Sequence, residues 1–549
     1  MQNKKTIIGT VGKVSFPNKS EIEYDENKIV FKGGILGQEV EIKRVRRSKG
    51  KLLNVVQKSK WETEANCVHS EVCGGCTYQN FNYDDEVVYK KNLITNLFEG
   101  EGLKLENFEF LGSPNYKHYR NKMEYTFSDE YRDGPLSLGL HMRNKFYEVV
   151  NTDECNIVHS DFNVIRAFTR DYFDGTLPPY QKMRHTGTLR HLLIRRSSIG
   201  EILINIVTAS SEYDFSDYFE ELKNLNLEGN IVGLLHTTND SLSDAIVPEK
   251  VDIYFGRDYI YEELLGLKFK VSVFSFFQTN TESAKVLYSM GENMLGDLKG
   301  KVLLDLYSGT GTITQILGRN AKRAIGVEIV EEAVESAREN VKLNNLENIE
   351  FICGDVFQVV KDLDVKPDVI VLDPPRDGIN PRAIENIINF NPEEFLYISC
   401  NPVTFVRDVQ EFLKRGYRIE EIKGLDQFPR TNHVETVVSL SHKNADSHIN
   451  VNVEFGDEEG QIPIDEIARK AEEYRPSERV TYKIIQEYIE NKYNFKVHTA
   501  YIAEVKRDLG LPMYDAPNTV EELKQERKHP TPEKVEAIKD ALRHFVVIQ

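Results

Sequence analysis

Residues 301–314 read KVLLDLYSGTGTIT, an apolar run that breaks at Ser308 into Gly309 and Gly311 before a helix-like stretch begins. Glycines at a strand-to-helix turn let a ligand approach the backbone closely. Working outward, the apolar runs AIGVEIV (324–330), IEFICGD (349–355), DVIVLDPP (368–375), EFLYISC (394–400) and VETVVSL (434–440) alternate with helical patterns. That alternation predicts a doubly wound α/β sheet over residues 271–441, with ligands at the carboxyl ends of its strands. Asp305 precedes the glycine turn, and Glu328 ends the next strand 17 residues after Gly311, where an acid can take both ribose hydroxyls. Neither a Gly-x-Gly-x-x-Gly fingerprint nor a Gly-Lys-Ser/Thr loop is present, so a phosphate-free adenosine ligand fits better. S-adenosylmethionine is such a ligand, and Asp355 would lie near its adenine amino group.

The same strand tops carry reactive groups. VLDPPRDG (371–378) holds Asp373 at a strand end beside Pro374 and Pro375. Methylases of exocyclic amines place an aromatic residue after a similar stretch; here Arg376 follows, which argues against amine methylation. The strand LYIS stops at Cys400, and Asn401-Pro402 turns the chain away. Alone, that cysteine reads as a small apolar strand-end residue. Beside the inferred cofactor, its thiolate could add to C6 of a pyrimidine and make C5 a carbon nucleophile. The C5 proton must then leave, and Glu435 in TNHVETVV is the candidate base, since strand carboxylates are rarely buried without a task. His433 reads as an ordinary polar histidine and is not assigned.

With 549 residues, 40% of them hydrophobic and 28% charged, the chain predicts three or four soluble globular units. No apolar run approaches a membrane span. The opening MQNKKTIIGT lacks the apolar core of a signal peptide, so a cytoplasmic location is expected, with no membrane partner. The net charge is −18, but residues 1–60 hold 14 Lys/Arg against 6 Asp/Glu, a net of +8, leaving −26 for the other 489. A basic module on an acidic body marks a polyanion-binding arm, although a Lys-rich solvated surface is the plainer account.

That module, residues 1–60, reads as short alternating strands punctuated by glycines, which predicts a small OB-type β-barrel. Residues 61–270 form a mixed α+β central region with a cysteine-rich loop, a helix near 83–98 and several hairpins. Residues 442–475 read as an acidic linker, and residues 476–549 as a helical, helix-turn-helix-like extension. Residues 442–549 together carry 16 Lys/Arg against 21 Asp/Glu, so a structural or protein-contact role is at least as fitting there as nucleic-acid binding.

Six cysteines in so long a chain are no disulfide framework. Cys67, Cys73 and Cys76 form a C-x5-C-x2-C loop, and Cys155 is the one remaining cysteine outside the sheet region. Four thiolates suit tetrahedral zinc or a four-iron cluster, and the uneven spacing tilts toward iron–sulfur. Cys353 reads as a small buried residue at a strand end.

As a set, YRNKMEYTF, RHLLIRR, FSFFQTNT, DLYSGTGT, DPPR, SCNP and HVETV occur in the order found in the RNA (uracil-5-)-methyltransferases, which make 5-methyluridine in 23S ribosomal RNA or in tRNA. The resemblance spans about residues 1–441. It implies a TRAM domain at the N-terminus, a 4Fe-4S cluster on Cys67, Cys73, Cys76 and Cys155, Cys400 as nucleophile and Glu435 as base. It also implies S-adenosylmethionine binding by Gln278, Tyr307, Glu328 and Asp373, with Thr312 and Asp355 as further contacts. The cysteine loop points to the ribosomal-RNA branch, since the cluster-free tRNA enzymes lack it. The expected protein is a monomeric enzyme that grips structured RNA and flips out a uridine. Methylation of a tRNA T-loop uridine, and a non-catalytic RNA-binding iron–sulfur protein, are the alternatives.

Overall fold

A computed structural model describes residues 6–442 apart from 104, 106 and 146, and then 482–493, 495, 497–508 and 531–544. The chain divides into two compact units, Met1–His448 and Ile449–Gln549.

The first unit opens with six strands, β1 (Thr6–Thr10), β2 (Lys13–Ser15), β3 (Lys19–Tyr24), β4 (Asn27–Lys32), β5 (Glu39–Arg46) and β6 (Lys49–Gln57). They form one sheet in the order β1-β5-β6-β4-β3-β2. Period-two alternation buries Ile22, Ile29, Phe31, Val40 and Ile42 inside it, while Lys43, Arg46, Arg47, Lys49, Lys51 and Lys58 stay exposed. The β5–β6 pairing contains three register irregularities, and a side chain at Gly50 would press on Ile42 and Ile29, so the strands bend there.

Helix α1 (Tyr83–Gly100) follows, with Asp84, Asp85 and Glu86 in its first turn, where the helix dipole favours acids. Strand β7 (Glu109–Leu111) then leaves the central region to join a distant sheet, described below. Strands β8 (Lys122–Asp129), β9 (Leu136–His141), β10 (Val149–Asn151), β11 (Leu189–Arg196), β12 (Glu201–Thr208), β13 (Asn230–Thr238) and β14 (Lys250–Gly256) make a seven-stranded sheet ordered β10-β9-β8-β11-β12-β13-β14. Helices α2 (Ser160–Phe173) and α3 (Ser216–Lys223) contribute Phe162, Ile165, Phe173 and Tyr218 to a core shared with Tyr125, Leu192, Ile194 and Ile204 of the sheet. Each such aliphatic or aromatic side chain contributes about 1.5–3 kcal/mol by leaving water. The hairpin of β15 (Tyr259–Leu264) and β16 (Leu267–Ser272) closes this region.

Helix α4 (Thr281–Leu295), capped by the Asn280 side chain, leads into the alternating segment. Its strands are β17 (Val302–Leu306), β18 (Arg323–Glu328), β19 (Ile349–Cys353), β20 (Val369–Leu372), β21 (Glu394–Ser399), β22 (Tyr417–Leu425) and β23 (Glu435–His442). The helices between them are α5 (Thr312–Gly318), α6 (Glu331–Leu343), α7 (Val356–Asp362), α8 (Pro381–Asn389) and α9 (Pro402–Lys414). Eight strands run β19-β18-β17-β20-β21-β23-β22-β7. The first five are parallel; β23 is antiparallel to both of its neighbours, and β7 is parallel to β22. Covered on both faces, the parallel strands are apolar runs such as VIVL in β20, as burial on two sides requires. The chain steps outward from β17 to β19 and returns to β20, so a crevice opens at the carboxyl ends of β17 and β20.

The second unit contains α10 (Tyr482–Tyr493), α11 (Thr499–Asp508) and α12 (Pro532–His544), packed around Ile485, Ile489, Ile502, Val505, Ile538 and Leu542. Residues 443–475 of the expected acidic linker lie outside the described residues. Among the described residues, no helix is long and apolar enough to cross a membrane.

Candidate active site

The switch-point crevice is built from residues that break their strands' pattern. Asp305 is fully buried in β17, where its Oδ2 accepts a 2.5 Å hydrogen bond from Thr314 while Oδ1 has no partner within the chain. Burial pushes its carboxyl up to about 7. Tyr307, just past β17, holds φ +77°, and Gly309 and Gly311 follow at +54° and +75°. Gly311 is obligatory, because a Cβ there would fall 2.4 Å from the Phe351 ring. Ser308 Oγ is likewise buried without a partner in the chain. Orphaned polar atoms lining a crevice mark a place where a ligand completes the hydrogen bonding.

Glu328 ends β18, with Oε2 accepting from the Gly309 amide at 2.9 Å and Oε1 from those of Ile329 and Val330 at 2.8 and 3.0 Å. These three bonds fix the carboxylate at the rim beside the glycine turn. Asp355 is exposed at the start of α7, and Thr312 is buried as the first residue of α5. The Tyr307 hydroxyl is pushed up to about 12 by burial and then by Asp355 and Asp408. Gln278 lies ahead of α4, and its side chain opposes the rise in the pKa of the Tyr288 hydroxyl. Tyr288, on α4, is buried among the fields of Asp373, Glu435 and Asp305, which together with burial raise its pKa well above the usual phenol range.

Beyond β20 and β21 the reacting groups meet. Ser399 pairs with Thr436 across the antiparallel β21–β23 ladder, so the next step of the register sets Cys400 opposite Glu435. The Cys400 thiol is half-buried and pushed up to about 11, by burial first and then by Glu435 and Asp373, with the Arg376 guanidinium opposing. Glu435 is 3% exposed, and its carboxyl is raised well above the ordinary range by burial and Asp373, again opposed by Arg376. Asp373 is pushed up to about 7 by burial and by Asp305. The Arg376 backbone is held by Asn401 Nδ2, which donates to its carbonyl at 2.9 Å, so the Asn-Pro after Cys400 also anchors the arginine. His433 is half-buried and its pKa is lowered to about 4 by burial and Arg376, so it stays neutral.

Cys67, Cys73, Cys76 and Cys155 line one cavity together with Leu140, Thr152 and Ile157. The Gly75 amide donates to Cys73 Sγ and Gln79 Nε2 to Cys76 Sγ, both at 3.4 Å. Arg143 Nη2 ties the loop from below, donating to the carbonyls of Ser70, Cys73 and Cys76. Burial pushes Cys76 up to about 12 and Cys155 to about 11, so these two would be thiolates only against a bound cationic group. Among the described residues, no group of three or more His, Cys, Asp or Glu converges closely enough to hold a single metal ion. Cys353, expected to be buried, is exposed at the end of β19.

Tyr307, Thr312, Glu328, Asp355, Asp373, Cys400 and Glu435 are thus carried to one edge of one sheet, while Gln278 lies outside it, ahead of α4. Tyr288 and Ser308 were not anticipated: a helical tyrosine among apolar residues carries no local sign of facing three carboxylates.

A doubly wound sheet with a reversed strand beside β21, and a thiol facing a buried carboxylate at its edge, describes a methyltransferase-type domain. Known proteins agree with that class. The family model described as tRNA (uracil-5-)-methyltransferase matches residues 244–443. An uncharacterized RNA methyltransferase of Caldanaerobacter subterraneus subsp. tengcongensis is 48% identical over 427 residues, covering 76% of this chain and 94% of its own length. One from Clostridium tetani is 45% identical, covering 81% of this chain and 99% of its own. The crystal structure of the Pyrococcus abyssi tRNA (uracil-54, C5)-methyltransferase in complex with S-adenosyl-L-homocysteine superposes with a TM-score of 0.64 at 26% identity, over 79% of this chain and 100% of that one. The protein is therefore an RNA methyltransferase. Within that class, it belongs to the RNA (uracil-5-)-methyltransferase family.

Proposed function

We propose that the protein methylates C5 of a uridine in 23S ribosomal RNA, using S-adenosylmethionine, with Cys400 as nucleophile and Glu435 as base. The observation that carries this reading is that Cys400 and buried Glu435 each adjoin one member of the Ser399–Thr436 ladder pair and that Glu435 acts on the thiol. The Cys400 thiol first gives its proton to solvent, with Arg376 favouring the thiolate, and Sγ then adds to C6 of the uracil, moving the C5=C6 electron pair into the O4 enolate. S-adenosylmethionine, when bound, supplies the methyl group that C5 takes up. Glu435 then removes the C5 proton, the C5=C6 bond reforms, and the bond from C6 to Sγ breaks. Glu435 acts in its ionised form, which the Arg376 guanidinium favours against burial and Asp373.

The test is a covalent trap. RNA made with 5-fluorouridine offers fluorine at C5, which cannot leave as a proton does. Incubated with the protein and S-adenosylmethionine, it is expected to give a band that survives a denaturing gel. Sequencing the attached RNA distinguishes ribosomal RNA from a tRNA T-loop. No band from protein that still binds RNA would favour a non-catalytic binder.

Asp305 and Asp373, each near 7, offer the cofactor pocket shared protons at neutral pH. A sulfonium cation favours their ionised forms, so binding releases a proton and affinity rises with pH. S-adenosylmethionine is expected to bind up to about tenfold more tightly at pH 8 than at pH 6. S-adenosylhomocysteine, which lacks the sulfonium charge, should show a weaker rise in calorimetry; identical profiles would refute this assignment.

We further propose that Cys67, Cys73, Cys76 and Cys155 hold a 4Fe-4S cluster, in a region that contacts RNA beside a TRAM-type barrel. Thiolates around one zinc, at about 2.3 Å from it, must converge on a point. Four cysteines that share one cavity can serve either group, and the uneven C-x5-C-x2-C spacing favours the cluster. Anaerobically purified protein is expected to carry about four iron atoms and about four sulfides per chain. One zinc and no sulfide would overturn this.

A further inference from the structure

The turn between β22 and β23, residues 426–434, delivers Glu435, and almost every residue in its first half is held by a distant part of the chain. Lys90 Nζ donates to Asp426 Oδ1 at 2.8 Å and Tyr83 to Oδ2 at 3.1 Å. Asn280 Nδ2 donates to the Gln427 carbonyl, and the Tyr119 hydroxyl to that of Pro429, both at 2.9 Å. Arg430 is the centre of this clamp. Its amide donates to Glu86 Oε1 at 2.7 Å, and its guanidinium to Glu86 Oε2 and the carbonyls of Phe81 and Tyr78 at 3.1, 2.9 and 3.3 Å. Its own carbonyl accepts from the amides of Thr77 and Tyr78 at 2.6 and 2.9 Å.

Arg430 is 3% exposed and adopts φ +68°, the left-handed region that an arginine enters only at a cost. Such a conformation persists where the surroundings over-determine it, and it concentrates at functional positions. Thr77 and Tyr78 directly follow Cys76, so the chain that lines the cysteine cavity grips the turn five residues before Glu435.

Resting on the uridine-addition reading above, we propose that Arg430 is a positioning residue for the general base: through it the cysteine loop sets Glu435 at the distance from C5 that proton removal needs. Cys400 is carried by β21 and α9, outside this clamp, so adduct formation and adduct breakdown separate. In Arg430→Met, the adduct with 5-fluorouridine RNA is expected to form within about threefold of the wild-type rate. Turnover on ordinary RNA should fall by about 10²-fold, the usual effect of an ångström-scale misplacement, and a covalent adduct with ordinary RNA should accumulate. Arg430→Lys, which keeps the charge but not the fork, should recover part of the turnover. Equal slowing of adduct formation and turnover, or no slowing of either, overturns the proposal. If Arg430→Met does not fold, Tyr119→Phe removes only the bond to the Pro429 carbonyl and must show the same split in smaller measure; an unchanged ratio of adduct to product overturns it equally. A wild-type protein that forms no adduct with 5-fluorouridine RNA refutes the addition chemistry itself, whatever Arg430 does.

Discussion

Cys400→Ala is expected to lower 5-methyluridine formation by at least about 10⁴-fold, with RNA and S-adenosylmethionine affinities changed by no more than about twofold. The size follows from the chemistry. C5 of uracil is too weak a nucleophile to take a methyl group unless a group at C6 pushes electrons into the ring, and no other residue of the crevice can form that bond. Asp373 and Glu435 are carboxylates, and Tyr288 is buried with its proton held tightly. The thiol is half-buried, so alanine leaves little cavity and the fold should survive, as circular dichroism would show. Methylation of RNA by Cys400→Ala at near the wild-type rate would sink the mechanism.

Glu435→Gln should produce the complementary defect. Glutamine fills the same space at the start of β23 but cannot accept the C5 proton. Turnover is expected to drop by about 10³-fold, within the range of general-base removal, while addition and methyl transfer continue. The protein should therefore accumulate as a covalent complex with ordinary RNA, visible as a shifted band without fluorouridine. Removing a buried carboxyl that burial already disfavours as an anion should also leave stability unchanged or raised. A Glu435→Gln protein that turns over normally, or one that stalls without any adduct, would move the base elsewhere.

The doubly wound sheet was legible because its parallel strands are buried on both faces and so write themselves as apolar runs, several closed by an acid such as Glu328 or Asp373. Periodicity does not give pairing. That Cys400 and Glu435 face each other depends on β23 inserting antiparallel beside β21, a contact between residues 35 apart whose register no local pattern records. The residues themselves named the pair, as a strand-end thiol and a strand carboxylate, and the family resemblance implied the same two; the ladder supplies the reason they meet. The cysteine spacing grouped three candidates and Cys155 came from elimination; the cavity is lined by all four. Arg430 was invisible, since FPRTN reads as an ordinary turn and a left-handed arginine leaves no compositional trace. Cys353 was misjudged because a strand-end position says nothing about whether a helix will cover it.

Three residues of β7 illustrate another limit, and they bear on how such a protein can be taken apart or reshuffled. Phe110 lies flat enough against Gly424 that a Cβ there would come within 2.4 Å of its ring, and the Leu111 carbonyl takes the Asp426 amide at 2.9 Å. The outer border of the catalytic sheet is thus borrowed from a segment some 300 residues upstream. A gene fragment beginning after the β15–β16 hairpin would encode every strand of that sheet but this one, exposing the backbone of β22 as a template for aggregation. Recombination between relatives, or transplantation of the methyl-transfer machinery onto another RNA-binding scaffold, has to carry the stretch around residue 110 along with it. The unit of inheritance here is longer than the unit of chemistry.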